Sequence, residues 1–208
     1  MRRKRLRKGV DSTGSPQILL LQVFLLMATL LILSVQANAA PVDVNIYGGD
    51  FLIDDGDDYG IVNVWNDANV TMTGGNVERL ECYDYSHLIL KNGSISSWLH
   101  GNNNSIIEME GGYSDHVVLG DSSIMHLSGG EWPAPTYITA FDDTVLHIYG
   151  YGFYYAGQYL NGYWVDDTSF NIWLRGTETV SHVVLHEIPE PATFFFLGVG
   201  YFLIKKRS

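Results

Sequence analysis

The side chains best placed to do chemistry in this chain are its acids. Asp54-Asp55-Gly56-Asp57-Asp58 sets four carboxylates around a glycine turn, an arrangement able to wrap a hard cation such as calcium. It is not an EF-hand, for it lacks the alternating ligand spacing and the distal glutamate, and the competing reading is a solvated acidic turn. Glu108 and Glu110 with Asp142 and Asp143 are a conceivable acid and base pair for a β-helical polysaccharide lyase or glycosidase. The shortage of basic residues speaks against the lyase version. Seven histidines are present, but His126 and His147 occupy the same alternating position as Thr71 and Glu108, which marks an outward strand position more than a metal or acid-base site. Cys82 sits in an apolar patch with no local feature that activates it, so packing is its expected role. Trp98, Trp132, Tyr151, Tyr154, Tyr155, Tyr159, Tyr163 and Trp164 suit stacking on sugar rings, or a core and cap.

The elements that must position these groups come from a repeat. Val70-Thr-Met72-Thr-Gly74-Gly75, Leu88-Ile-Leu90-Lys-Asn92-Gly93, Ile107-Glu-Met109-Glu-Gly111-Gly112 and Met125-His-Leu127-Ser-Gly129-Gly130 superimpose with steps of 18, 19 and 18 residues. Looser copies flank them at Val44-Asn-Ile46-Tyr-Gly48-Gly49 and Leu146-His-Ile148-Tyr-Gly150, with a degenerate one at Phe170-Asn-Ile172. Four residues before each copy of the core set stands Asn66, Asp84, Asn103, Asp121, Asp142 or Asp166, and two before stands Ala68, Ser86, Ser105, Ser123, Thr144 or Thr168. A second apolar patch precedes each of these, as at Val62 and Val64, Leu80 and Cys82, or Trp164 and Val165.

Apolar residues two apart face one side of a strand, and strands this short are stable only when stacked. Successive copies pairing in parallel would pile their apolar side chains into one core, with Gly supplying positive φ at one corner and Asx and Ser/Thr bonding free backbone groups at the other. The expected fold is all-β: a small single-domain parallel β-solenoid of about five to six rungs, with no helix in the mature domain. The right-handed form is expected, because the six-residue subrepeat of left-handed hexapeptide solenoids is not visible. A sandwich of antiparallel hairpins is the competing fold. The aromatic-rich segment Tyr149 to Trp164 breaks the period and is expected to form a lateral flap or cap.

Charge is distributed by segment. Between Asp43 and Glu187 only Arg79, Lys91 and Arg175 are basic, against 21 acids, a formal balance of −18 within a chain of −11 overall. Such a body repels phosphate backbones and excludes nucleic acid as a partner. A single cysteine excludes an internal disulfide, leaving burial and backbone pairing to hold the domain.

The missing cations are at the termini. Arg2, Arg3, Lys4, Arg5, Arg7 and Lys8 precede an apolar stretch from Ile18 to Val35 and then Ala37-Asn38-Ala39, the form of a secretory signal peptide cleaved between Ala39 and Ala40. An uncleaved membrane anchor is the alternative. Arg5 stands where a twin-arginine signal carries a large apolar residue, which favours export by the general secretory route. At the other end Ile188-Pro189-Glu190-Pro191 must be extended and accessible. An apolar run, Phe194 to Ile204, and the cations Lys205, Lys206 and Arg207 follow, as in a segment that enters a bilayer with its basic end left in the cytoplasm.

This tail resembles the PEP-CTERM sorting signal of exported proteins of Gram-negative bacteria. The resemblance covers about a tenth of the chain and implies recognition of Pro189, Glu190 and Pro191 by an exosortase, a membrane-embedded transpeptidase-like cysteine protease. Lys205, Lys206 and Arg207 would act as the membrane stop. Counted from Ala192 the apolar run is 13 residues, about 20 Å as a helix against a bilayer core of roughly 30 Å. Either its flanks extend it or it crosses the inner membrane only transiently. The expected organisation is a signal peptide over 1–39, a solenoid over 40–187 and a sorting signal over 188–208. The expected protein is non-enzymatic and delivered to the cell surface or matrix. By resemblance it is associated with exopolysaccharide and biofilm, and signal peptidase and exosortase are its processing partners.

Overall fold

The structure, a computed structural model, describes residues 40–189. The chain divides into two units, Met1–Ala40 and Pro41–Ser208, and the described residues belong almost wholly to the second. The expected signal and C-terminal helices, with Ala37, Ala39, Glu190, Pro191, Lys205, Lys206 and Arg207, lie outside the described residues.

The repeat folds into a β-solenoid of about six turns. Its strands are β1 (Val42–Ile46), β2 (Asp50–Ile53), β3 (Asp58–Val64), β4 (Asn69–Cys82), β5 (His87–Gly101), β6 (Ile106–Met109), β7 (Tyr113–Leu119), β8 (Ile124–Leu127), β9 (Tyr137–Ala140), β10 (Val145–Ala156), β11 (Tyr159–Tyr163), β12 (Ser169–Leu174) and β13 (Val183–Glu187). They pair in two ladders. The first runs through β1, β3, the second halves of β4 and β5, β7, β9 and the end of β12. The second runs through β2, the first halves of β4 and β5, β6, β8, β10 and β13.

Alternation sends one apolar row per register position inward. In the second ladder Phe51, Val70, Leu88, Ile107, Met125, Leu146 and Val183 are consecutive partners. In the first, Val44, Val62, Leu80, Leu99, Val117, Ile138 and Leu174 are. Most of these are fully buried and join one hydrophobic cluster, each large side chain contributing about 1.5–3 kcal/mol.

One corner between the ladders is an Asx turn. Asn66, Asp84, Asn103, Asp121 and Asp142 all have φ between 55° and 60°, the left-handed region that Asn and Asp enter most readily among side-chain-bearing residues. Their side chains tie one rung to the next. Asp84 Oδ2 accepts the Asn66 N–H at 3.2 Å, Asn103 Oδ1 that of Asp84 at 3.2 Å, and Asp142 Oδ2 that of Asp121 at 3.2 Å. Just inside this corner Ala68, Ser86, Ser105, Ser123 and Thr144 form a buried column, and the hydroxyls of Ser105, Ser123 and Thr144 have no hydrogen-bond partner among the described residues.

The two ends of the stack differ from the expected repeat. Val44 and Ile46 pair with Val62 and Val64 in the first ladder, so the copy in register with Val70 and Met72 is Phe51 and Ile53. Gly48-Gly49 accordingly stands at the Asx corner, where Asn69 N–H bonds Gly49 O at 2.8 Å as His87 N–H bonds Ala68 O one rung later.

At the other end Phe170-Asn-Ile172 pairs antiparallel with β11, and Val183 and Leu185 of β13 take the expected place beside Leu146 and Ile148. The last Asx turn falls at Asp167, φ 68°. Asp166 instead caps its own loop through Thr168. The first-ladder place expected for Trp164 and Val165 is filled by Trp173 and Leu174.

The stack is also not helix-free. A five-residue helix, α1 (Thr177–Ser181), leads into β13, and Thr179 Oγ1 within it accepts the Ala140 N–H at 3.1 Å. The expected flap is present as an antiparallel hairpin of β10 and β11, which β12 extends.

Candidate functional site

The corner opposite the Asx turns is made of glycine for two reasons. Gly56, Gly75, Gly93, Gly112 and Gly130 have φ between 72° and 102°, where a side chain is strained. Their neighbours Gly74, Gly111 and Gly129 have no room for one. A Cβ there would lie 2.0 Å from Asp55 Oδ1, 2.2 Å from Lys91 O and 2.0 Å from Glu110 O.

An edge without side chains becomes a groove. A cavity of about 570 Å³ runs from Asp55 along the corner to Glu131, and a second of about 550 Å³ shares Gly112 and Glu131 with it. A third of about 350 Å³ shares Trp132 and Ser169 with the second and reaches Tyr154 and Tyr163. These three cavities form one track along the stack.

Along the track Asn76, Ser94, Tyr113 and Glu131 line the cavity one per rung, and Asp58 continues their register just outside it. Asp58, Asn76, Ser94 and Tyr113 are successive partners, and Tyr113 bridges to Glu131. Ser94 Oγ donates to Asn76 Oδ1 at 2.6 Å, and Tyr113 OH donates to Asp115 Oδ1 at 2.9 Å. Burial first, and then that carboxylate, push the Tyr113 phenol above its ordinary value, so it remains a neutral donor.

The far end of the track is aromatic. Trp164 donates its indole N–H to Gly130 O at 3.2 Å and stacks on Phe170 at 4.0 Å, which fixes the wall. Tyr154 and Tyr163 on the hairpin are 59 % and 44 % exposed. Asn161 and Asn171 lie beside them and are bonded to each other.

The four expected calcium ligands lie in the first glycine corner. Asp57 Oδ2 accepts the Asp54 N–H at 3.0 Å, while Asp57 N–H bonds Asp54 O at 3.1 Å. Asp55 lies over Gly74, and Asp58 is a register partner of Asn76. Among the described residues no group of three or more His, Cys, Asp and Glu comes together as a metal site, and of the four carboxylates it is that of Asp57 that bonds a backbone N–H of the turn.

Of the conceivable acid and base residues, Glu108 and Glu110 line one cavity of about 340 Å³ with His126, Ser128 and Tyr149. Glu108 Oε1 contacts His87 Nε2 at 3.0 Å, and Asp142 serves the Asx ladder. Cys82 is fully buried and its thiol is pushed up to about 12, first by burial, as packing requires. The face of Trp98 is taken by His116, 4.8 Å away and 26° off parallel. On the hairpin Tyr163 stacks on Tyr151 at 5.4 Å and Tyr159 on Trp173 at 6.2 Å, while the exposed Tyr154 and Tyr155 have no ring partner among the described residues. Ala40 and Pro189 are exposed at the two ends of the described body.

Two features were not anticipated. One is the groove, whose signal was present as five glycine corners in one column. The other is a cluster of His126, His147, His186 and Tyr149 on the outer face of the second ladder; His186 lies beyond the hairpin and gives no sign of register in the sequence.

Among the described residues no helix is long and apolar enough to cross a membrane. Compared with protein-family models, curated proteins and solved structures, the chain matches none.

Proposed function

We propose that this is an exported, non-enzymatic protein of the cell surface or extracellular matrix whose glycine-corner groove holds an extended exopolysaccharide chain. The observation that carries the reading is the row Asp58, Asn76, Ser94, Tyr113 and Glu131, one side chain per rung. Rungs repeat at about 4.8 Å, close to the length of one sugar residue in an extended glycan. Successive residues of such a chain would therefore meet equivalent amide, hydroxyl and carboxylate groups. The exposed Tyr154 and Tyr163 at the end of the track would give the chain a stacking surface.

Export and sorting rest on the terminal segments. The signal peptide is removed after Ala39, and Pro189, Glu190 and Pro191 direct an exosortase to the tail at the inner membrane. Supporting this, the last strand ends at Glu187 and Pro189, the first residue of the motif, is exposed two residues after it. The winding is right-handed in this reading, as parallel crossovers within one sheet overwhelmingly are.

Retention of the protein on matrix isolated from its host tests the binding reading. It should fall at least tenfold for a Tyr154→Ala, Tyr163→Ala double variant, with no soluble sugar released by either form. Equal retention rejects the groove, and released oligosaccharide rejects the non-enzymatic assignment. Mass spectrometry of protein recovered from the host tests sorting, which an intact Arg207-Ser208 terminus would sink.

A further inference from the structure

Three imidazoles from three neighbouring strands form a column on the outer face of the second ladder. His126 of β8 and His147 of β10 are register partners, stacked with centroids 4.9 Å apart and planes 11° apart. His147 Nδ1 meets His186 Nε2 of β13 at 2.9 Å. A bond between two imidazole nitrogens needs one donor and one acceptor, so it cannot survive protonation of both rings. Tyr149 completes the group, its hydroxyl 3.0 Å from His126 Nδ1 and its ring stacked on His186 at 4.4 Å.

Strand β13 depends on this contact more than an inner strand would. It pairs with β10 alone among the described strands, and its inward side chains Val183 and Leu185 are only half-buried. A segment with one paired edge and little buried area sits at the low end of local stability. Its other side-chain tie is Glu187 Oε1, which accepts the Gly152 N–H at 3.1 Å.

The surrounding carboxylates are occupied. Glu108 of β6, the register partner of His126, contacts His87 at 3.0 Å, and Glu110 faces Lys91 at 3.8 Å. His182, at the entry to β13, holds Thr144 O through Nδ1 at 3.0 Å. Burial first, and then the charges of His126 and His186, hold His147 below its ordinary value. A proton added to the column therefore meets like charge.

We infer that the His126–His147–His186 column is an acid-released latch on β13. At neutral pH the His147–His186 bond, with one ring donating and the other accepting, holds the strand. As the medium falls toward about pH 5.5, where histidines charge, the column takes up more than one proton and the His147–His186 bond is lost. β13 then detaches with Ile188 and Pro189, while the inner rungs stay folded. The same acidification frees the stretch of chain that precedes Glu190 and Pro191, and it does so whatever the groove binds.

Amide hydrogen exchange on the full chain at pH 7.5 and pH 5.5, corrected for intrinsic exchange rates, tests this. Protection of the β13 amides should fall at least tenfold on acidification relative to those of β6. In His186→Gln the amide can accept from a charged His147 or donate to a neutral one, so β13 should stay protected at both pH values. In His126→Gln, which removes a charge that holds back protonation of His147, the opening midpoint should move to higher pH. Equal β13 protection at the two pH values in the unsubstituted chain overturns the latch. So does loss from β6 in step with β13, equal loss in His186→Gln, or an unmoved midpoint in His126→Gln.

Discussion

Asp121 holds Asn103 twice across one rung: its Oδ2 accepts the Asn103 backbone N–H at 2.9 Å and the side-chain amide at 3.3 Å. Both residues have left-handed backbones, with φ of 57° and 55°. At Asp84, Asn103, Asp121 and Asp142 one side-chain type thus meets two demands, a positive φ and an acceptor for the neighbouring rung.

Replacing Asp121 separates the two demands. Asp121→Asn keeps both and should leave stability within about 0.5 kcal/mol. Asp121→Ala loses the acceptor and strains the backbone, and should cost about 1–3 kcal/mol. Urea unfolding reads the difference, and equal midpoints for the two variants would mean that the ladder contributes nothing.

Glycine is needed at the opposite corner for space as much as for φ. Gly111→Ala places a Cβ 2.2 Å from Lys91 O, a backbone atom of the neighbouring rung that cannot yield without parting the ladder. Overpacking of this kind costs about 1–3 kcal/mol or more. Gly49→Ala meets nothing within 4 Å and suffers only from its φ of +76°, so it should cost about 1 kcal/mol. Thermal melts of the two variants should rank in that order, and the reverse ranking would show that space is not the constraint.

The buried Ser105 hydroxyl has no partner among the described residues, and Ala68 stands two rungs away in the same column. Ser105→Ala should therefore be neutral or stabilise by up to about 1 kcal/mol, since it removes an unsatisfied polar group. Ser105→Val adds volume to a closed column and should destabilise by about 1–3 kcal/mol. Loss of stability in the Ala variant would reveal a hydrogen bond made by this hydroxyl.

Stability should also fall with acid. His100 is held below its ordinary 6.5 by burial first, with Arg79 adding to the effect and Glu81 opposing it. His147 is lowered by burial and by its two imidazole neighbours. Each ring in the unfolded chain takes up its proton at a higher pH than in the folded chain, so unfolding binds protons as pH drops through about 6.5. The contribution is fully present above that value, is lost as pH falls from it to the depressed folded values, and then levels off. Urea midpoints at pH 7.5 and 5.5 should differ in that sense, and His100→Gln should shrink the difference.

Much of this was legible in sequence because the inner rungs repeat at nearly constant length. The steps between Val70, Leu88, Ile107 and Met125 are the register pairs of the second ladder. The ends were misread for a physical reason. Both corners demand positive φ, and Gly satisfies either, so Gly48-Gly49 after Val44 and Ile46 looked like the glycine corner while standing at the Asx one. Phe170-Asn-Ile172 alternates as a rung does, but alternation does not distinguish a parallel neighbour from an antiparallel one. The acids were legible as a turn; the bond by which Asp57 accepts the Asp54 N–H was not. The histidine column was half legible, for His126 and His147 share a repeat position, whereas the hairpin and α1 intervene before His186.

The strand order, with β1 at one extreme of the stack and β13 at the other, also sets how the body answers force. Tension applied between the two ends pulls across the ladders, along the hydrogen bonds, so it opens them one pair at a time instead of shearing a whole strand at once. The outermost strand yields first, at a load far below that needed to rupture all rungs together. Pulled by the chain beyond Glu187, such a body would lengthen in steps of one rung and recoil when released, as a shock absorber does.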